Sequence, residues 1–251
     1  MRIRNKSARI TRRALGSAVA FALASAVSLG SGAAALADDA ARSPVVVELF
    51  TSQGCSACPP ADAMLGELAE RDDVIALALH VDYWDYIGWK DVFARPEHMV
   101  RQKAYARAAG EQMIYTPQMI VGGKQGVMGG RAMAIIASID AVREAAPRVA
   151  LRLTRADGVL IVDAEPLAAL PEKIVLQLVR YRPYAEVEIL RGENAGRTLA
   201  YTNIVTEWDI VAEWDGGAPL SLQLDLAGDL PAVMILQDTE HGPILAAGVS
   251  P

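Results

Sequence analysis

The chain has two cysteines, and they stand three apart in Gly54-Cys55-Ser56-Ala57-Cys58-Pro59-Pro60. One disulfide across so short a loop adds little stability, because the entropy of closing a loop grows with its length. Reactivity explains the spacing better: one thiolate attacks a substrate disulfide, and the second resolves the mixed disulfide that results. A thiol reacts as its thiolate, which the N-terminus of a helix stabilises through unpaired N–H groups and the macrodipole. Pro59 and Pro60 fit a helix only in its first turn, where a backbone N–H lacks a partner anyway. They put the helix start at the cysteines, with Cys55 as the exposed attacker and Cys58, one turn inside, as the shielded resolver. Two other chemistries use the same residues. Two thiolates with Met64 or His80 as a third ligand suit Cu(I), and an inert disulfide suits a non-catalytic binding module. A structural zinc site requires four ligands, and no second pair is present.

Glu48 is the next candidate. It interrupts the apolar run Val45-Val46-Val47-Glu48-Leu49-Phe50, seven residues before Cys55. Burying a carboxylate is costly unless it is paired or protonated. An acid behind the cysteines can move protons to and from Cys58; the alternatives are a carboxylate at a sheet edge and an ion pair with a nearby Lys or Arg. Asp82, Tyr83 and Trp84 follow His80 at the end of a second apolar run, where α/β sheets commonly bind their ligands. They are candidates for substrate contact, although Trp84 and Trp89 fit packing roles as well.

These residues have to be positioned by the elements around them. Val45 to Phe50 has the composition of a buried strand, Cys55 to Glu70 of a loop and helix, and Val74 to His80 of a second strand. Val81 to Met113 has a helical pattern rich in aromatics. A proline-led strand, Thr116-Pro117-Gln118-Met119-Ile120-Val121, ends in a Gly turn before a short partner strand and a helix from Arg131 to about Ala145. That order predicts an α/β domain of thioredoxin type with a mixed sheet and a helical insertion, over residues 38–147. From Val149 onward nine alternating segments are separated by turns such as Asp157-Gly158 and Gly216-Gly217. They predict an antiparallel, sandwich-like β region over residues 148–251, packed beside the first domain.

Ahead of both lies a segment with the features of an export signal. Six basic residues precede an uncharged stretch, Ala14 to Ala37, that closes with Ala35-Leu36-Ala37. Thr11-Arg12-Arg13 resembles a twin-arginine signal. Cleavage after residue 37 predicts a periplasmic or secreted protein with no membrane attachment, the rival being an uncleaved anchor. The leader takes six of the 24 basic residues and none of the 30 acidic ones, so the mature chain has a net charge of −12. Such a chain is a poor nucleic-acid binder, and no motif in it calls for a cofactor. Export also places the cysteines where disulfides persist. The expected partners are protein thiols or disulfides, together with a redox partner that recharges the pair.

Four separated blocks are similar to a family of secreted bacterial proteins usually described only as a domain of unknown function. They are VVVELFTSQGCSACPPAD, HVDYWDYIGWKD, YTPQMIVGG and VEILRGENAGRTLAYTNIV. The resemblance implies a thioredoxin-like fold. In such folds a cis proline sits opposite the cysteine pair and frees the preceding backbone for an extended substrate. Pro117 matches that proline and Thr116 the residue before it. Gly54 stands where better-known thioredoxins have tryptophan. The Arg191–Arg197 segment is expected to be a hairpin turn, the alternative being part of a binding surface.

Overall fold

The computed structural model describes residues 43–124 and 126–251. The export signal predicted for residues 1–37 lies outside them. Among the described residues there are eleven strands and three α-helices. No helix among them is long and apolar enough to cross a membrane.

The first strands form as their composition predicts. β1 (Val45–Thr51) and β2 (Val74–His80) are buried along their whole length and pair in parallel, Val45 with Val74 through Thr51 with His80. Between them runs α1 (Pro59–Ala69), with Cys58 at its N-cap and the two prolines in its first turn. β3 (Gln118–Val121) joins β1 antiparallel and β4 (Gly126–Met128) joins β3. α2 (Pro96–Ala108) and α3 (Ala132–Arg143) complete the helices.

The predicted architecture, a thioredoxin-like α/β domain with a helical insertion beside a separate sandwich, is not what the chain forms. One mixed sheet of eight strands, in the order β11-β10-β7-β8-β2-β1-β3-β4, runs through both halves. β7 (Ile174–Glu188) and β8 (Thr198–Trp214) form a long hairpin, and β8 bridges to β2 in parallel at Ala78–Ile204. β10 (Ala232–Asp238) and β11 (Ile244–Val249) extend the sheet beyond β7. The residual sheet of β5 (Val149–Ala156), β6 (Val159–Pro166) and β9 (Leu220–Asp225) has only three strands. The segments read as separate strands on either side of Pro183 are one strand, because β7 and β8 each continue from the buried sheet out to an exposed rim.

The helical insertion is also smaller than predicted. After Val81 the chain makes a single 3-10 turn, Asp85–Ile87, closed by Gly88 at φ 97°. It stays irregular until Pro96 opens α2. Aromatic and acidic side chains, rather than helical periodicity, hold residues 81–95 in place.

Two faces of β1 receive different cover. Val45, Val47 and Leu49 pack with Ala61, Leu65 and Leu68 of α1 and Ile135 and Ile139 of α3. Val46 and Phe50 pack with Tyr105 of α2 and with Val179 and Val205 of the long hairpin. The small sheet buries Leu160, Val162 and Leu222 against Ile174, Leu176 and Met234.

Candidate functional site

Cys55 and Cys58 are joined by a disulfide with their Cα atoms 5.4 Å apart. The loop after β1 is drawn tight by Gly54 N–H donating to Ser52 Oγ at 3.1 Å and Cys55 N–H to Ser52 O at 3.1 Å. Cys58 N–H donates to Cys55 O at 3.2 Å, and the next two residues are prolines without N–H groups. The helix end therefore acts on the sulfurs through its dipole more than through free donors. The expected division into an exposed and a shielded cysteine does not hold in this oxidised state: Cys55 is 2% and Cys58 0% exposed, while Ser56 and Ala57 between them are open to solvent.

Two neighbours cover the loop. Trp84 is one: a Cβ placed on Gly54 would come within 3.0 Å of Trp84 Cβ. Glycine at 54, where tryptophan was noted as usual, makes room for a tryptophan supplied from the β2 side. The Trp84 Nε1–H donates to Thr116 Oγ1 at 2.7 Å, which ties the cysteine loop to the segment before β3. There the Thr116–Pro117 bond is cis. Pro117 packs close to Gly129, where a Cβ would lie 2.8 Å from Pro117 Cβ and 3.0 Å from Ala61 Cβ. Trp84 thus links Gly54 of the cysteine loop to Thr116, next to the cis Pro117, as sequence spacing alone did not require. Tyr83 donates instead to Gln102 Oε1 at 3.3 Å, and Asp82 has a buried Oδ1 without a protein partner.

The second cover is the turn between β7 and β8. Arg191–Arg197 is a hairpin connection, with Gly192 and Gly196 both at φ 80°. It also clasps the cysteine loop. Asn194 is buried, and its Nδ2 donates to Gln53 O at 2.9 Å and Cys55 O at 3.1 Å. Arg197 steadies the amide by donating to Asn194 Oδ1 at 2.8 Å, and Ser56 Oγ donates to Glu193 Oε2 at 2.6 Å. Replacing Asn194 by Ala leaves two buried carbonyls without this donor. The expected cost is about 1–3 kcal/mol, read as a lower urea midpoint at unchanged m-value.

Glu48 does not serve the cysteines. Side chains alternate across a strand, and Glu48 falls on the face with Val46 and Phe50, under α2. There Arg101 donates to Glu48 Oε2 at 2.6 Å and Oε1 at 3.0 Å, and Tyr105 OH donates to Oε1 at 2.7 Å. Arg101 further contacts Gln177, Gln237 and the Glu240 carbonyl, and lies 3.9 Å over the Trp208 ring. This is the ion-pair alternative, fully buried.

The acid near the cysteines is Asp62, which sequence reading passed over. It lies one helical turn after Cys58, and its backbone N–H donates to Cys58 O at 3.0 Å. Its side chain is buried on the α1 face of β1 and β2, where Thr51 and His80 pair across the strands. Burial pushes the carboxyl up to about 7, against opposing pulls from His80 and the Thr51 hydroxyl. The signal was available: an Asp four residues after Cys58 in a helix otherwise packed by Ala61, Leu65 and Leu68 cannot face solvent on the same side. His80, considered as a copper ligand, holds Asp91 Oδ2 at 2.7 Å through Nδ1. Met64 is partly buried against the α1 core. Among the described residues no group of three or more His, Cys, Asp or Glu side chains is placed to hold a metal ion.

The comparisons with known proteins give a family and leave activity open. A crystal structure of a protein from Agrobacterium tumefaciens is similar to this chain at 30% identity and a TM-score of 0.71, over 82% of this chain and 93% of that one. HBP35 of Porphyromonas gingivalis shares the fold more distantly, at 15% identity and a TM-score of 0.54, over 83% of this chain and 74% of its own. No curated protein matches. The family model described as "Protein of unknown function (DUF1223)" matches residues 46–237, and the chain belongs to that family.

Proposed function

We propose that this protein is an exported thiol–disulfide oxidoreductase that exchanges the Cys55–Cys58 disulfide with thiols or disulfides of other proteins. The observation that carries the reading is the buried Asp62 one turn past Cys58, with its carboxyl raised to about 7. A stapling disulfide has no use for such a group. A disulfide that opens and closes does, because the leaving thiolate needs a proton and the returning thiol has to lose one.

In the direction that oxidises a substrate, a substrate thiolate attacks Cys55 Sγ, and the Cys55–Cys58 bond breaks. Cys58 leaves as a thiolate and takes the proton from the Asp62 carboxyl. A second substrate thiolate then attacks the substrate sulfur held on Cys55 and frees Cys55. The substrate dithiol ends as a disulfide and the protein as a dithiol; the reverse sequence reduces a substrate. Trp84, Thr116 and Pro117 border the loop where the substrate chain would lie, and the Asn194 clasp would yield as it enters. The leader expected in residues 1–37 would place this chemistry outside the cytoplasm, where disulfides last.

Cysteine variants test the reading with an unfolded protein carrying non-native disulfides as substrate, and wild type is tested on the same protein after reduction. Cys58→Ser is expected to accumulate a mixed disulfide on Cys55, visible on non-reducing gels and by mass. Cys55→Ser is expected to exchange at the uncatalysed rate. Wild-type protein whose disulfide never reacts with protein thiols, together with a Cys58→Ser variant that traps nothing, would return the pair to an inert disulfide.

A further inference from the structure

We infer that Asp91 and His80 form a buried carboxylate–imidazole dyad that exchanges a proton with Asp62, making both positioning residues for proton transfer at the cysteine pair. The inference rests on the exchange reading above and deepens it.

The hydrogen bonds around Asp91 set the imidazole's tautomer. Asp91 Oδ2 accepts from Gln53 N–H at 2.8 Å, and Oδ1 accepts from Phe93 N–H at 2.8 Å. With both Asp91 oxygens accepting backbone N–H donors, Oδ2 is an acceptor, and the imidazole nitrogen 2.7 Å away, His80 Nδ1, donates to it. Both side chains are 0% exposed. The opposite nitrogen, Nε2, is then the basic one, and it has no protein partner.

Nε2 shares that condition with its surroundings. Thr51 Oγ1, Gln53 Nε2, Asp62 Oδ1 and Tyr201 OH are likewise buried without a protein partner. Thr51, Asp62 and Tyr201, from β1, α1 and β8, gather around the His80 ring. Thr51 pairs with His80 across the strands, and the Tyr201 ring centroid lies 4.8 Å from that of His80. Buried polar atoms in folded proteins are nearly always paired. Several left over in one place, from separate elements, mark a polar space in which water completes the bonding and a proton can pass. The groups facing Asp62 are His80, Asp91 and Tyr201, with the Thr51 hydroxyl. Arg197 acts on Tyr201 from the turn, and His98, bonded to the His80 carbonyl, is held neutral by burial.

When Cys58 leaves as a thiolate and takes the Asp62 proton, His80 Nε2 accepts the proton that the substrate thiol gave up and passes it to the Asp62 carboxylate. The imidazole returns to its neutral form with its hydrogen on Nδ1, facing Asp91. The balance is closed with the substrate dithiol as the sole reductant.

Two measurements on the protein test this. Imidazole ¹⁵N NMR follows His80 from pH 5 to 9, first in the disulfide form and then after reduction with excess dithiothreitol. The rate of reduction by dithiothreitol is followed over the same range in wild type, His80→Gln, Asp91→Asn and Asp62→Asn. The expected result is a His80 with hydrogen on Nδ1 whose titration midpoint moves on reduction. His80→Gln and Asp91→Asn are each expected to slow reduction at pH 7 at least about tenfold and to flatten its pH profile. A His80 titration indifferent to redox state, with both variants within twofold of wild type, overturns the dyad; if Asp62→Asn is still slow, Asp62 keeps its role. A wild-type protein that exchanges with dithiothreitol but with no protein thiol overturns the proposed function, and the two measurements still decide the dyad. Should His80→Gln fail to fold, the wild-type NMR result stands as the test.

Discussion

Asp62→Asn is expected to give a protein that is more stable above pH 7 and slower in exchange. The Asp62 carboxyl is raised from 3.8 to about 7, chiefly by burial. Below about pH 4 it is protonated in the folded and unfolded chain alike, and its protonated form fits the folded chain at no charge penalty. Between pH 4 and 7 the unfolded chain gives up the proton while the folded chain still holds it, so stability falls as pH rises. Above pH 7 the folded chain holds a buried carboxylate at its full cost, about 4 kcal/mol for a shift of roughly three units. Asparagine at that position removes the ionisation. Urea unfolding at pH 5 and pH 8 reads the effect: the wild type should lose stability between the two, and Asp62→Asn should lose much less. A wild-type protein that is steadier at pH 8 than at pH 5, with the variant no different, would mean that Asp62 is ionised without penalty and holds no proton for Cys58. The expected gain in stability together with lost rate is the pattern of a residue kept for function at the fold's expense.

Glu48→Ala should do the opposite: a large loss of stability with the chemistry left intact. Removing the carboxylate strands the Arg101 guanidinium in a site where both side chains are buried. Gln177, Gln237 and the Glu240 carbonyl still accept from it, but none of them balances its charge. Breaking a buried pair from one side costs about 3–5 kcal/mol. Glu48→Met with Arg101→Met should recover a large part of that loss, since an apolar pair of similar volume avoids the cost of desolvating charge. Thermal unfolding of the single and double variants checks both figures. The dithiothreitol rate of whatever Glu48→Ala protein is folded should match wild type, because Glu48 and Asp62 lie on opposite faces of β1. A strongly reduced rate in the folded variant would put Glu48 back in the proton path.

Glu48 and Asp62 also show where sequence reading stops. Both are single acids in apolar surroundings, and both stood out, or could have, by composition. Which one lies with the cysteines depends on the face of β1 that α1 covers. A shift of one residue along a strand exchanges the two faces, and spacing in sequence gives no direction. The same limit explains the Arg191–Arg197 turn. Two glycines and an asparagine mark a hairpin clearly, yet nothing local says that Asn194, 1% exposed, will donate to carbonyls 139 and 141 residues earlier.

The sequence by itself determined what local chemistry dictates. It placed the strand before the cysteines, the helix start at Pro59 and Pro60, the proline-led strand after Thr116, and the alternating strands from Val149 onward. These depend on backbone preferences and on side-chain periods that act within a few residues. The tertiary structure decided which strands share a sheet, and so merged two expected units into one eight-stranded sheet through β8 and β2. It also decided which acid is buried beside Cys58, and it brought Trp84 and Asn194 over the disulfide. Those outcomes depend on pairing and burial between residues far apart in the chain. A strand's pattern specifies one face to bury and one edge to pair, but many partners satisfy it, and packing of the whole chain selects among them.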